Sequence, residues 1–342
     1  MSTYPTFSFE TTAEEVATPF AQEIAGKNGT APFVRIGEIF IHSQSSLPAP
    51  RLMASVSRRP WPLQEGFGQG LTAYITLLTH SRLKLSEEAI KKAAPSANIR
   101  RLTLDLSSLA GVRKSAAEVN TYAEPLHVLI HNAAAAIAPS KLTVDGLENQ
   151  MATDHVGPFL LTKLLAPKLL AAATPAHKPR VVFVSSLGHA FGAGVDFAAL
   201  VRPDATAYQP FEWYSQAKAA NVLTAIELSR RSKGRIHAYS LHPGAIYTNI
   251  IAKDESVAIF QGFGLLDAAR RPRADVRWKT IAQGAATTVA AAFDPRLDDA
   301  PGAYLVDANV ANEAVAPHCT DPANAEKLWT LTEEIIGEKF TF

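Results

Sequence analysis

Tyr214 and Lys218 occupy the ends of Tyr214-Ser215-Gln216-Ala217-Lys218. On a helix, i and i+4 share one face, so the phenol and the ammonium lie one turn apart. The lysine charge favours the phenolate and makes the tyrosine a usable acid and base near neutral pH. Upstream, the apolar run Val181-Val182-Phe183-Val184 ends in Ser185-Ser186. A serine hydroxyl can polarise the same carbonyl or alcohol oxygen that a tuned phenol protonates or deprotonates. Together these groups suit hydride chemistry with a nicotinamide, if the chain also builds a cofactor site.

Positioning such a set needs a rigid frame. Residues 8–25 read as a capped helix, and residues 28–62, rich in proline and arginine, keep no period. Residues 64–74 read as a glycine-weakened helix, 73–79 as a strand, and Ser86 as the cap of the next helix. From residue 100 the alternation is regular. Strands fall at 100–106, 126–131, 180–185, 236–241 and 303–306. Helices fall at 108–122, 147–170 (bent at Pro158 and Pro167), 214–233, 280–293 and 323–337. This alternation predicts a parallel sheet with both faces covered. The expected architecture is α/β: a single doubly wound domain over 1–342, with substrate-side inserts at 187–213 and 250–278. Apolar residues in and beside those inserts (Phe191, Phe197, Phe211, Trp213, Ile250, Ile251, Phe260, Phe263) point to a hydrophobic small-molecule ligand.

Composition narrows the class. The 342 residues are 47% hydrophobic, enough for a sizeable core. The 33 basic and 32 acidic residues nearly cancel, and no basic stripe argues for nucleic acid. No apolar run is long enough for a membrane span, because 156–170 is interrupted by Pro158, Lys163, Pro167 and Lys168. The single cysteine, Cys319, fits a reducing compartment, and the polar N-terminus lacks targeting character, so a cytoplasmic protein is expected. No histidine spacing suggests a metal. His131 on a buried strand reads as a satisfied core histidine. Asp105, read by itself, serves equally as a cap for the following helix.

Four ordered markers resemble the short-chain dehydrogenase/reductase family, in particular its retinol-dehydrogenase-like and WW-domain-oxidoreductase-like branch. They are Asp105-Leu106 after a strand, His131-Asn132-Ala133-Ala134 in place of N-N-A-G, the Ser186/Tyr214/Lys218 set, and Pro243-Gly244-Ala245-Ile246-Tyr247-Thr248 matching P-G-x-x-x-T. An isolated Y-x-x-x-K is weak, but four markers in order on a β/α frame are specific. The resemblance implies that Tyr214 is the general acid/base and that Ser186 holds the substrate oxygen. It implies that Lys218 bonds the nicotinamide ribose, and that Asp154 stands where the family has a water-holding asparagine. Asp105 would meet the adenine, Asn132 and Ala133 the ribose side, and Pro243, Gly244 and Thr248 the carboxamide. Helices 147–170 and 214–233 would serve a homo-oligomer. His80-Ser81-Arg82 after the second strand carries no acid, and Arg82 suits a 2′-phosphate, so NADP(H) is favoured over NAD(H).

The chain departs from the family at the pyrophosphate. No T-G-x-x-x-G-x-G lies between Gly26 and Ile75, and Gly66-Phe67-Gly68-Gln69-Gly70 lacks a preceding strand. Glycines are needed there for close approach of backbone to phosphate. One coding of Ser57-Arg58-Arg59-Pro60-Trp61, read in a shifted frame, gives Ser-Pro-Gly-Gly-Leu-Gly, so a mis-spliced gene model fits this segment too. The rival reading is a Rossmann-like binding protein without turnover.

Overall fold

The computed structural model describes residues 5–24, 72–77, 80–93, 95, 98–135, 137–204, 206–248, 251 and 254–342. The expectations for 28–62 and for the glycines at 66–70 lie outside the described residues.

The N-terminal segment starts with a reciprocal cap. Thr12 Oγ1 accepts from the Glu15 amide while the Glu15 carboxylate accepts from the Thr12 amide. Short helices α1 (Ala13–Ala17) and α2 (Ala21–Ile24) follow, linked by a 3₁₀ turn. Strand β1 (Thr72–Leu77) leads to α3 (His80–Ala93) and β2 (Asn98–Thr103), which runs parallel to β1. Two sequence expectations change here. The part of 64–74 that is described, from Thr72 on, is strand. Ser86 is buried inside α3 and is not its cap. The acidic pair after Ser86 has a different use: Glu87 takes Lys91 at 2.8 Å and also pairs with Arg101.

Next come α4 (Leu109–Asn120), β3 (Val128–His131) and a continuous helical run. That run comprises α5 (Asn149–Met151), a π turn at Ala152–Val156 and α6 (Gly157–Ala171). The bend expected at Pro158 is this π turn, closed by the Gly157 amide on the Ala152 carbonyl. Then follow β4 (Arg180–Val184), α7 (Phe197–Val201), α8 (Pro210–Arg231) and β5 (His237–His242). The C-terminal part holds α9 (Asp254–Gly262), α10 (Ile281–Phe293), β6 (Tyr304–Val306), β7 (Asn309–Val310), α11 (Pro317–Thr320) and α12 (Pro322–Ile336). Helix α8 starts a turn earlier than Tyr214, because Pro210 occupies its first turn and Gln209 with Glu212 forms its capping box.

Among the described residues the strands form a β1–β2 ladder and a ladder ordered β3-β4-β5-β6-β7. All pairs are parallel except the hairpin β6–β7, so the sheet is mixed at that edge. Alternating residues serve opposite faces, as a strand period of two requires. Leu129, Val181, Phe183 and Ala238 join a core with α4, α6, α8 and α12. Val128, Ile130, Val182, Val184, Tyr239 and Leu241 join a second core with α10 and the N-terminal segment. Helices on both faces of a largely parallel sheet make this an α/β fold.

Candidate active site

Strands β3, β4 and β5 end side by side, with His131 opposite Phe183 and Val184 opposite Leu241. The crevice beyond the carboxyl ends of parallel strands is where this architecture binds ligands. At the end of β4 the two serines divide their work. Ser185 Oγ donates to the Lys218 carbonyl at 2.8 Å, fixing β4 to α8. Ser186 caps a 3₁₀ turn, its Oγ accepting from the Gly188 amide at 3.0 Å. Gly188 is the close approach between the two candidate catalytic groups. A Cβ there would stand 2.8 Å from Tyr214 Cε1 and 3.4 Å from Ser186 Oγ. Any larger side chain would press on the phenol ring and force it to shift.

Lys218 projects back under Tyr214, its Nζ 5.4 Å from the ring centroid. The ammonium donates to the Val184 carbonyl at 3.1 Å and lies 3.0 Å from Asp154 Oδ2. Asp154 Oδ2 finds no hydrogen-bond partner among the described residues, so that contact is one of charge, and the Val184 carbonyl takes one of the ammonium's three protons. The other Asp154 oxygen accepts from the Ala135 amide at 2.7 Å. The π turn delivers Asp154 to this position, and both side chains are almost fully buried. Burial pushes the Asp154 carboxyl up, against the pull of Lys218 and the Ala135 amide. Burial also works against the Lys218 ammonium, but Asp154 and then Tyr214 hold it above lysine's ordinary value. The two directions oppose each other, since a raised carboxyl favours the neutral acid. The 3.0 Å contact and the Ala135 amide decide for the ion pair near neutral pH.

At the end of β3, Asn132 Oδ1 is buried and finds no hydrogen-bond partner among the described residues. An orphaned acceptor in a crevice is a place for a ligand donor. Ala133 is exposed beside it. At the end of β5, Pro243 and Gly244 turn the chain, Gly244 with φ +95. The Lys279 stem crosses beneath, so that a Cβ on Gly244 would meet Lys279 Cδ at 2.6 Å. The Lys279 amide donates to the Ala245 carbonyl at 2.8 Å, and the Thr248 carbonyl accepts from Ile251 at 3.0 Å.

The structure thus brings together Ser186, Tyr214, Lys218 and Asp154, with Asn132, Ala133, Pro243, Gly244 and Thr248 on the adjacent strand ends. Asp105 stands at the end of β2, in the other ladder. It does not cap α4: its Oδ1 takes the amide and hydroxyl of Ser107 at 2.9 and 2.6 Å, and Ser108 is the cap. Arg82 falls in the first turn of α3. His131 is the core residue expected, its Nε2 2.7 Å from Thr162 Oγ1. Thr162 already donates to the Pro158 carbonyl at 2.8 Å, so the ring nitrogen is the donor. Of the apolar insert residues, Phe191, Phe211 and Phe263 cluster beside Tyr214, with Phe211–Phe263 centroids 4.4 Å apart and Phe211–Tyr214 5.8 Å apart. Phe260 and Ile251 form a small core nearby. Trp213 instead belongs to the main core and Phe197 packs against it; two positions along α8 from Phe211, Trp213 lies about 200° round the helix. Gly188 and Lys279 were not singled out by sequence, and nothing local signalled either.

The short chain dehydrogenase family model matches residues 65–197. The chain is 36% identical to short-chain dehydrogenase TIC 32 A, chloroplastic, of Brassica napus over 73% of this chain and 76% of that one. It is 33% identical to short-chain dehydrogenase/reductase prx1 of Penicillium roqueforti, over 75% of each. It is 35% identical to the WW domain-containing oxidoreductase of Danio rerio, over 79% of this chain and 64% of that one. Among solved structures, an uncharacterized protein from Mycobacterium Paratuberculosis superposes with TM-score 0.59 at 26% identity, over 81% of this chain and 88% of that one. The NADPH-bound carbonyl reductase from chicken fatty liver shares the fold at TM-score 0.51 and 19% identity, over 84% and 98%. The fold is the Rossmann type, and the chain belongs to the short-chain dehydrogenase/reductase family. It is therefore an oxidoreductase of the nicotinamide-dependent class.

Proposed function

We propose that this chain transfers a hydride between NADP(H) and a secondary alcohol, ketone or aldehyde on a hydrophobic small molecule. The observation that carries the reading is the convergence of Ser186, Tyr214 and Lys218 at the ends of β4 and α8, with Gly188 holding the phenol against the serine. The residues fit the nicotinamide half of the cofactor. Asn132 Oδ1 is an unused buried acceptor, Lys218 keeps a proton for a ribose hydroxyl, and Gly244 opens the backbone beside a carboxamide. The cofactor, when bound, supplies or takes the hydride.

The protein's own groups handle the proton. Tyr214 gives its proton to the substrate oxygen in reduction and recovers it in oxidation. Ser186 Oγ donates to the same oxygen and orients it. Lys218 stabilises the phenolate. Asp154 fixes Lys218 from the opposite side. The phenylalanines Phe191, Phe211 and Phe263 give the substrate side an aromatic wall, and Phe191 and Phe263 are exposed enough (52% and 45%) to be covered by a ligand. The preference for NADP(H) rests on Arg82 in the first turn after β1 and on the lack of an acid at 80–82.

The test is fluorescence titration of the purified chain with NADPH and NADH, beside Tyr214→Phe. Saturable micromolar binding by both, tighter for NADPH, is expected. Turnover of apolar ketones by Tyr214→Phe should fall by about 10²–10⁴-fold, the range general acid–base catalysis supplies. A folded chain that binds neither dinucleotide would overturn the reading in favour of a binding protein.

A further inference from the structure

The N-terminal segment reaches the Pro243–Thr248 loop by two independent routes, and both end on Lys279. On the first, the Arg277 guanidinium stacks on the Phe9 ring at 3.7 Å and pairs with Glu10 at 2.8 Å. Glu10 also accepts from Gln283 Nε2, at 2.9 Å to its carboxylate and 3.2 Å to its carbonyl. Gln283 forms the capping box of α10 with Thr280, the residue after Lys279. On the second route, the Phe7 carbonyl accepts from Asn309 Nδ2 at 3.0 Å. Asn309 Nδ2 also bonds the Asp307 carbonyl at 2.7 Å, at the tip of the β6–β7 hairpin. The Asp307 carboxylate holds Lys279 Nζ at 2.5 Å, and Phe9 covers that ammonium at 4.9 Å. Lys279 carries the loop: its stem fills the space under Gly244, its amide holds Ala245, and it bridges Ile246.

We infer that Phe7–Glu10 is a positioning element for the nicotinamide end of the cofactor site, acting through Lys279 on Pro243–Thr248. This rests on the cofactor reading above. Among the described residues the segment is bonded to none of the candidate catalytic groups. It fixes the height of the Gly244 backbone by clamping a side chain that packs under it. The adenine end, at Asp105 and β2, lies in the other ladder and shares none of these contacts.

The experiment compares the full chain with Phe9→Ala/Glu10→Gln and, separately, Asn309→Ala. Each is titrated with NADPH and with adenosine 2′,5′-bisphosphate, which carries only the adenine half. Amide hydrogen exchange is followed at Ala245–Thr248 and Lys279. The expected result is NADPH binding weakened about three- to tenfold, the size of a lost exposed cation–π contact and ion pair, with the fragment's affinity unchanged and exchange at the loop accelerated. Equal loss for both ligands, or no change in either, would overturn the inference. If the wild type binds no NADPH, the cofactor reading fails. Loop exchange then still judges the clamp, which unchanged exchange in both variants would refute.

Discussion

At the residue scale the decisive feature is a carboxylate beside the candidate catalytic lysine. Asp154 and Lys218 form a buried pair next to Tyr214, so the ammonium that favours phenolate is partly neutralised from behind. Asp154→Asn takes the counter-charge from a buried ammonium and should lower stability in urea denaturation, because the Lys218 charge is then left unpaired. Gly188→Ala should leave NADPH affinity intact and lower kcat about 10²-fold, because the new methyl displaces the ring from the substrate oxygen. Steady-state kinetics with a dinucleotide titration checks both halves. The placing of Tyr214, Lys218 and Ser186 around one crevice was readable from type and spacing. Gly188 was not, because its importance lies in what its missing side chain would strike.

At the element scale, much of the alternation from β2 onward was readable because β3, β4 and β6 are short apolar runs and α4, α8, α10 and α12 carry a capping residue or proline at their start. Starts were misplaced where tertiary contacts overrode local signals, as at Ser86 inside α3. The π turn had no sequence mark beyond Pro158, yet it aims Asp154. Helix α10 shows the same dependence on long-range packing. A Cβ on Gly284 would lie 2.0 Å from Ile246 Cδ1, so α10 rests directly on the cofactor-side loop. Alanine is the better helix former by about 1 kcal/mol. Overpacking costs about 1–3 kcal/mol. Gly284→Ala should therefore destabilise the chain, and adding Ile246→Ala should recover part of the loss. Urea denaturation of the two single variants and the double variant measures this coupling.

At the scale of the whole molecule, buried neutral histidines set the acid limit. Burial pushes His131 and His155 down to about 3. The His155 Nε2 proton serves Thr332 Oγ1 at 2.9 Å, since Thr332 already donates to Leu328. The unfolded chain takes up protons near pH 6.5 and the folded chain does not. Stability is therefore full above that pH and falls as pH drops toward 3, by about 1.4 kcal/mol per unit for each histidine. Between pH 7 and pH 5 the two should together remove about 4 kcal/mol, and His242, pushed down to about 4 chiefly by burial, about 2 kcal/mol more, so His155→Gln should recover about 2 kcal/mol of the drop in denaturation curves. The clamp at the N-terminus has its own consequence during synthesis. Glu10 and Arg277 are 267 residues apart in sequence. At about 5–20 residues per second, roughly 13–53 s of translation separate them. Phe7, Val16, Phe20 and Ile24, all buried in the finished fold, leave the ribosome with nothing yet made of α10 to cover them. A segment made early must wait for helix α10, and until then its apolar face is open to chaperones and to neighbouring nascent chains.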